Sequence, residues 1–183
     1  SKDIDEVKNY QKALLQMLKD SQEKEPLTLQ TILDYHSLAM QHEPEIAGKI
    51  RNIEVCISGN PNFKITKAED IEKELEVLIT KYNDFIKKEK AGLKEILAFA
   101  VYFHNEFQHV HPFKDGNSRT TRLITFHLLQ SKDIPIFDIP YGLLDEYLSY
   151  TKGSRKREDQ KLLSNLQKVI LFNLKKINER LGR

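Results

Sequence analysis

LKEILAFAVYFHNEFQHVHPFKDGNSRTTRLITFHLLQ, residues 93–130, reads as two helices with a hard stop between them. The first runs from Leu93 to about Gln108, and its very apolar centre, ILAFAVYF, suits a position in the middle of a core. Pro112 fixes its own φ and disfavours helix at His111, so this helix ends at about Val110 and His111 falls on a rigid bend. The second spans about Asn117 to Gln130 and opens on Gly116, which permits an unusual backbone angle and the close approach of a ligand. Its first-turn N–H groups have no partners within the helix and point toward whatever lies beside His111, an arrangement that attracts anions.

Outward from this pair the same periodicity recurs. Ile4, Val7, Ala13, Leu14, Met17 and Leu18 predict a first helix ending near Asp20. Leu29, Ile32, Leu33, Tyr35, His36 and Met40 predict a second between Pro26 and Pro44. Thr66 and Glu69 form a capping box ahead of a third, with Ile71, Leu75, Leu78, Ile79 and Tyr82 at helical spacing, to about Lys88. Beyond residue 131 a short helix is expected near Leu143–Tyr150 and a long one from about Glu158 to Arg180. One segment breaks the pattern. KIRNIEVCISGNPNFKI is rich in β-branched residues around SGNPN and reads as a β-hairpin at about Ile50–Ile65. The expected organisation is therefore one mostly α domain over 1–183: N-terminal helices at 1–48, the hairpin at 50–65, a central part at 66–131 and C-terminal helices at 141–180.

Composition narrows the function. The 183 residues, 39% hydrophobic, suffice for one core, and a net charge of +2 lacks the strong basic field of a dedicated nucleic-acid binder, so no direct nucleic-acid contact is expected. Cys56 is the single cysteine, which excludes an internal disulfide, and no run reaches the length of a membrane span; both fit the cytoplasm. The chain opens on Ser1 rather than Met, so an upstream segment is expected.

The residues around the bend suggest phosphate chemistry. Arg119 and Arg122 are three apart on one helix face and can both reach toward the N-terminal end with forked guanidinium groups, which suits a polyphosphate. Asp115 would repel phosphates unless a cation lay between them, so it is read as a ligand for Mg²⁺. His111, kept mostly neutral by the neighbouring arginines, can accept a proton from an incoming hydroxyl. Phe113 alternates with His111 and Asp115 and is an apolar anchor for the loop. His104, His109 and His111 do not make a zinc set, because residues five apart on a helix lie about 140° round its axis. His36, His104 and His127 are expected to be satisfied polar residues within the packing, and Cys56 a buried or half-buried strand residue. The stripe Leu162, Leu166, Val169, Ile170 and Leu174 is core or a homodimer seam.

HPFKDGNSRTTR resembles the signature of the Fic family, H-x-F-x-[D/E]-G-N-[G/K]-R-x-x-R. His111, Phe113, Asp115, Gly116, Asn117, Arg119 and Arg122 match it; Ser118 stands where the family has glycine, or lysine in its Doc branch. EVKNYQKAL (Glu6 to Leu14), LDYHSLAM and HNEFQHVHPF are similar to other Fic segments, so the resemblance covers nearly the whole chain.

It implies a mostly α-helical Fic fold with a β-hairpin flap beside the active site, and transfer of AMP from Mg-ATP to a Ser, Thr or Tyr hydroxyl of a target protein. His111 would be the general base. Gly116, Asn117, Ser118, Arg119 and Arg122 would hold the phosphates, the role of Asn117 coming from the family alone. The target would add as a strand to the flap at Ile53, Glu54, Val55 and Cys56. A Doc-like protein kinase or a transferase using another diphosphate donor, and a catalytically silent nucleotide-binding regulatory module, are the alternatives. Relatives are restrained by a helix bearing [S/T]-x-x-x-E-[G/N], whose glutamate pairs with the residue matching Arg122. Ser21 with Glu25 and Ser154 with Glu158 both fail its last position, so the inhibitory helix is expected upstream or on a separate partner.

Overall fold

The computed structural model describes residues 1–57, 63–136, 139–151 and 157–182. Seven α-helices stand among them: α1 (Lys2–Gln22), α2 (Leu29–Ala39), α3 (Ile71–Lys87), α4 (Leu93–Val110), α5 (Asn117–Ser131), α6 (Tyr141–Thr151) and α7 (Asp159–Arg180). The mostly α expectation holds. No helix among the described residues is long and apolar enough to cross a membrane.

α5 is the hub, packed against α1, α2 and α4, while α7 closes over α4 and α6. Its buried residues include Leu123, Ile124, Phe126, Leu128 and Leu129, together with Thr120, Thr121 and Thr125. The threonines tolerate burial because each hydroxyl donates to the carbonyl four residues back: Gly116 at 3.0 Å, Asn117 at 2.7 Å and Thr121 at 2.8 Å. α4 contributes Ile96, Leu97, Ala100, Phe103 and Phe107, so it lies in the core as its composition implied.

Several local expectations shift. α1 buries Asn9, Ala13, Met17 and Ser21, an i, i+4 stripe, and leaves Ile4 and Val7 exposed. The capping box at Thr66 does not form. A one-turn 3-10 helix (Ala68–Asp70) leads into α3 instead. Tertiary partners have claimed Thr66: its hydroxyl donates to Glu74, its N–H donates to the His109 carbonyl (3.2 Å), and its own carbonyl accepts from Arg51. Along α7, Leu162, Leu166, Val169 and Ile170 are core, whereas Leu174 is 41% exposed.

The turn of the expected hairpin, residues 58–62, lies outside the described residues. The segments flanking it, 50–57 and 63–67, are non-helical, with bends at Ile53 and Phe63 and a single bridge residue at Ile57; among the described residues no strand forms there. Cys56 is exposed rather than buried, a correction to the strand-core reading; Ile57 takes the buried position. Residues 152–156 of the basic loop also lie outside the described set.

Candidate functional site

The loop joining α4 to α5 is built on strain and on one fully buried ring. α4 closes with the His111 N–H donating to the Phe107 carbonyl at 3.1 Å, and His111 itself then turns left-handed (φ 50°, ψ 60°). A non-glycine residue holds that conformation only where its surroundings over-determine it. Phe113 is 0% exposed and stacks on His36 of α2, with centroids 3.7 Å apart and planes 10° from parallel. Burying a phenylalanine stabilises by roughly 1.5–3 kcal/mol, enough to fix the centre of a short loop.

His36 is a strut. The Gly48 N–H donates to its Nδ1 (2.9 Å), so Nε2 carries the proton and donates to the Asp115 carbonyl (2.8 Å). Burial lowers its pKa and keeps this neutral tautomer. Asn117 clamps the loop from the other side: the Phe113 N–H donates to its Oδ1 (3.0 Å) and its Nδ2 donates to the Phe113 carbonyl (2.8 Å). The side-chain amide expected at the phosphates is thus engaged with the loop, leaving Asn117 its main-chain N–H for a ligand.

α5 begins uncapped. Gly116 is its N-cap at φ 81°, and among the described residues no side chain takes the first-turn N–H groups. Asp115 is exposed, and its Oδ1 accepts from the Gly116 N–H at 2.8 Å. A Cβ on Gly116 would stand 2.8 Å from Met40 Sδ and 3.1 Å from His36 Nε2, so only glycine fits this turn. Ser118 Oγ is 3.4 Å from Gln108 Nε2.

The two arginines take different partners. Arg119 donates from Nη1 to Met40 Sδ (3.2 Å), and Arg122 lies between two rings, Tyr10 of α1 at 5.4 Å and Tyr147 of α6 at 5.6 Å. Both guanidinium groups act on Tyr10, against the burial that raises its pKa, so they share one neighbourhood. Neither supplies the charge felt by His111. The imidazole is pushed down to about 4, first by burial and then by Arg51, with Asp115 opposing. The expectation of a neutral ring stands, but its cause is different. Nδ1 of His111 is buried without a partner, and among the described residues neither ring nitrogen is hydrogen bonded, the reverse of His36.

Arg51 is the residue the sequence reading missed. It is 2% exposed and spends its donors on main-chain carbonyls of His111, Val110, Ile53 and Thr66. No local pattern signals it: of Ile53, Val55 and Ile57, which share its period-two phase, only Ile57 is buried, and Ile53 is 49% exposed. Ile53, Glu54 and Cys56 are exposed and Val55 half-buried, and the Glu54 carboxylate accepts from the Ala68 N–H (2.8 Å). A groove of about 780 Å³ runs beside them, lined by Arg51, Asn52, Glu54, Lys67, Glu69 and Glu72. It lies at the foot of this segment rather than at the start of α5. No group of three or more His, Cys, Asp or Glu among the described residues could hold a metal. His104 is buried and bonded to Tyr147, and His127 to Tyr82, as satisfied packing histidines.

The family model for the Fic/DOC family matches residues 26–129, more than half of the sequence. The chain belongs to the Fic/DOC family. Among curated proteins, this Fic domain is 28% identical over 130 residues to the protein adenylyltransferase Fic of Nematostella vectensis, covering 70% of this chain and 29% of that one. It is also 28% identical over 131 residues to that of Drosophila willistoni, covering 71% and 25%. It spans less than a third of the length of these relatives. Solved structures share the fold: Fic-1 of C. elegans (TM-score 0.76, 20% identity, 99% of this chain and 52% of that) and a Fic domain-containing signaling protein of Bacteroides thetaiotaomicron (0.75, 20%, 95% and 70%). BepC of Bartonella tribocorum, solved with bound AMPPNP, matches at TM-score 0.55 and 19% identity, over 89% of this chain and 86% of that.

Proposed function

We propose that this Fic domain is a protein adenylyltransferase, moving AMP from Mg-ATP to a Ser, Thr or Tyr hydroxyl of a target protein with His111 as general base. The observation that carries it is the pairing of an imidazole free of hydrogen bonds among the described residues with the uncapped start of α5 at the far end of one short loop. The names of the curated relatives and the nucleotide analogue bound to BepC support the same reading.

The triphosphate would sit on the N–H groups of Asn117, Ser118 and Arg119, against Gly116, with Arg119 and Arg122 as cationic partners. His111 accepts the proton of the target hydroxyl as its oxygen bonds to the α-phosphorus; the bond from that phosphorus to the bridging oxygen breaks, and pyrophosphate leaves. The ring starts neutral because burial and Arg51 hold it so. Phosphates alongside raise its basicity toward the ordinary range, which strengthens it as a base only once nucleotide is present. Asp115 fits a Mg²⁺ ion that needs one carboxylate besides phosphate oxygens and water, and such an ion would neutralise phosphate charge. A target would lay its main chain along Ile53, Glu54, Val55 and Cys56.

ATP labelled at the α- or the γ-phosphate, incubated with the chain and a cell lysate, tests the reading. The α label should appear on protein and vanish in His111→Ala, with ATP affinity retained. Transfer of the γ label would instead identify a kinase; label from neither position would leave a transferase with another diphosphate donor, read by repeating the assay with the other labelled nucleoside triphosphates, or a silent nucleotide-binding module. The expected inhibitory glutamate is tested on the same assay by comparing this chain with one extended upstream: equal activity counts against an upstream restraint.

A further inference from the structure

His111 is held by its backbone, since nothing among the described residues bonds to its ring, and that backbone is left-handed. Carbonyls at the end of a helix lack intrahelical partners and carry the negative end of its dipole. At the end of α4 those of Val110 and His111 are met by a guanidinium from another part of the chain. Arg51 Nε donates to the His111 carbonyl at 2.7 Å and Nη2 to that of Val110 at 3.3 Å. Its main-chain N–H donates to the Pro112 carbonyl at 2.9 Å, so three consecutive residues of the loop are tied to one arginine. The other donors face outward from the loop: Nη1 to the Ile53 carbonyl at 3.0 Å and Nη2 to that of Thr66.

We infer that Arg51 is a positioning residue, which fixes His111 for the reaction and ties it to the segment on which the target docks. This rests on the proposed role of His111. Desolvating a guanidinium is costly unless its hydrogen bonds are replaced, and here carbonyls replace them, with Glu54 the acid that favours its charge. An arginine that only filled space would need no such set. Each acceptor belongs either to the bend carrying His111 or to the two ends of the segment around residues 53 and 66. Displacing that segment therefore pulls on the bond that holds the His111 carbonyl. The charged groups acting on the ring are Arg51 and, with opposite sign, Asp115.

Arg51→Met removes charge and fork together; Arg51→Lys keeps the charge and loses the fork. For each, calorimetry gives ATP affinity, α-label transfer gives kcat, and an NMR titration follows the His111 ring, assigned by its loss in His111→Ala. Misplacing a reacting group by about 1 Å can cost about 100-fold, so kcat should fall at least ~10-fold in both variants while ATP affinity changes less than ~3-fold. The ring midpoint should rise in Arg51→Met and stay low in Arg51→Lys. Wild-type kcat and an unmoved midpoint in folded variants would overturn the inference. The native chain supplies a check that no folding defect can blunt: the Arg51 Nε–H signal should exchange slowly with solvent, and fast exchange overturns the inference too. If the native chain transfers no AMP yet the ring midpoint still rises in Arg51→Met, the adenylyltransferase reading fails and the hold on His111 survives.

Discussion

Two histidines on either side of Phe113 show how partners decide what a residue type does. His36 has both ring nitrogens committed and acts as a strut; His111 has neither committed and is left for chemistry. His36 also lies against a turn that only Gly116 can make. Gly116→Ala would place a methyl 2.8 Å from Met40 Sδ at φ 81°, which costs roughly 1–3 kcal/mol in strain before Met40 moves, and Met40 is what Arg119 leans on. Thermal melts should show that loss, and calorimetry should show weakened ATP binding; unchanged affinity would mean that phosphate does not sit against this turn. The turn was legible in the sequence because Pro112 and Gly116 act through the backbone alone. Arg51 was not, because its acceptors lie up to 60 residues away and nothing local distinguishes a buried fork from a solvated one.

Helix boundaries followed periodicity closely, yet two elements carry meaning that periodicity hides. α5 reads as half polar, but its threonines bond back to their own helix and let it occupy the centre of the core. α6 reads as a minor helix, yet it sends Tyr147 inward, where the ring walls Arg122 and the hydroxyl lies 2.6 Å from His104 Nε2. These two roles separate by substitution. Tyr147→Phe keeps the ring and strands a buried ring nitrogen, so it should cost about 1–3 kcal/mol of stability with ATP affinity little changed. Tyr147→Leu removes the wall as well, and ATP affinity should fall further while ADP affinity falls less, if Arg122 meets the terminal phosphate. Equal losses for the two nucleotides would place Arg122 elsewhere on the ligand. The capping box at Thr66 failed for a related reason: long-range partners outbid a local motif worth only ~1 kcal/mol.

The whole fold carries an acid sensitivity that follows from its buried rings. His104 and His127 are each 1% exposed and held down to about 4, with burial the leading cause in both, and His36 is lowered for the same reason. Above about pH 7 such a histidine is neutral folded or unfolded and contributes no pH dependence. As pH falls below about 6.5 the unfolded chain takes up a proton that the folded chain refuses, so stability is lost until the folded value near 4 is reached. Each fully buried ring then costs about 1.4 kcal/mol per pH unit, and two or three of them act against a total stability of about 5–15 kcal/mol. Asp159 and Glu146, lowered chiefly by hydrogen bonds from Arg157 and Tyr150, lose their contributions only at and below the ordinary carboxylate range, about 4. The interval from pH 6.5 to 4.5 therefore isolates the histidines. Urea midpoints should be level from pH 8 to 7 and fall steeply through that interval. Replacing His127 with Asn, whatever it costs at neutral pH, should reduce the slope by one proton's worth, about 1.4 kcal/mol per pH unit. A native profile that stays level down to pH 4.5 would mean these rings gain protons in place, and the neutral core around α5 would have to be abandoned.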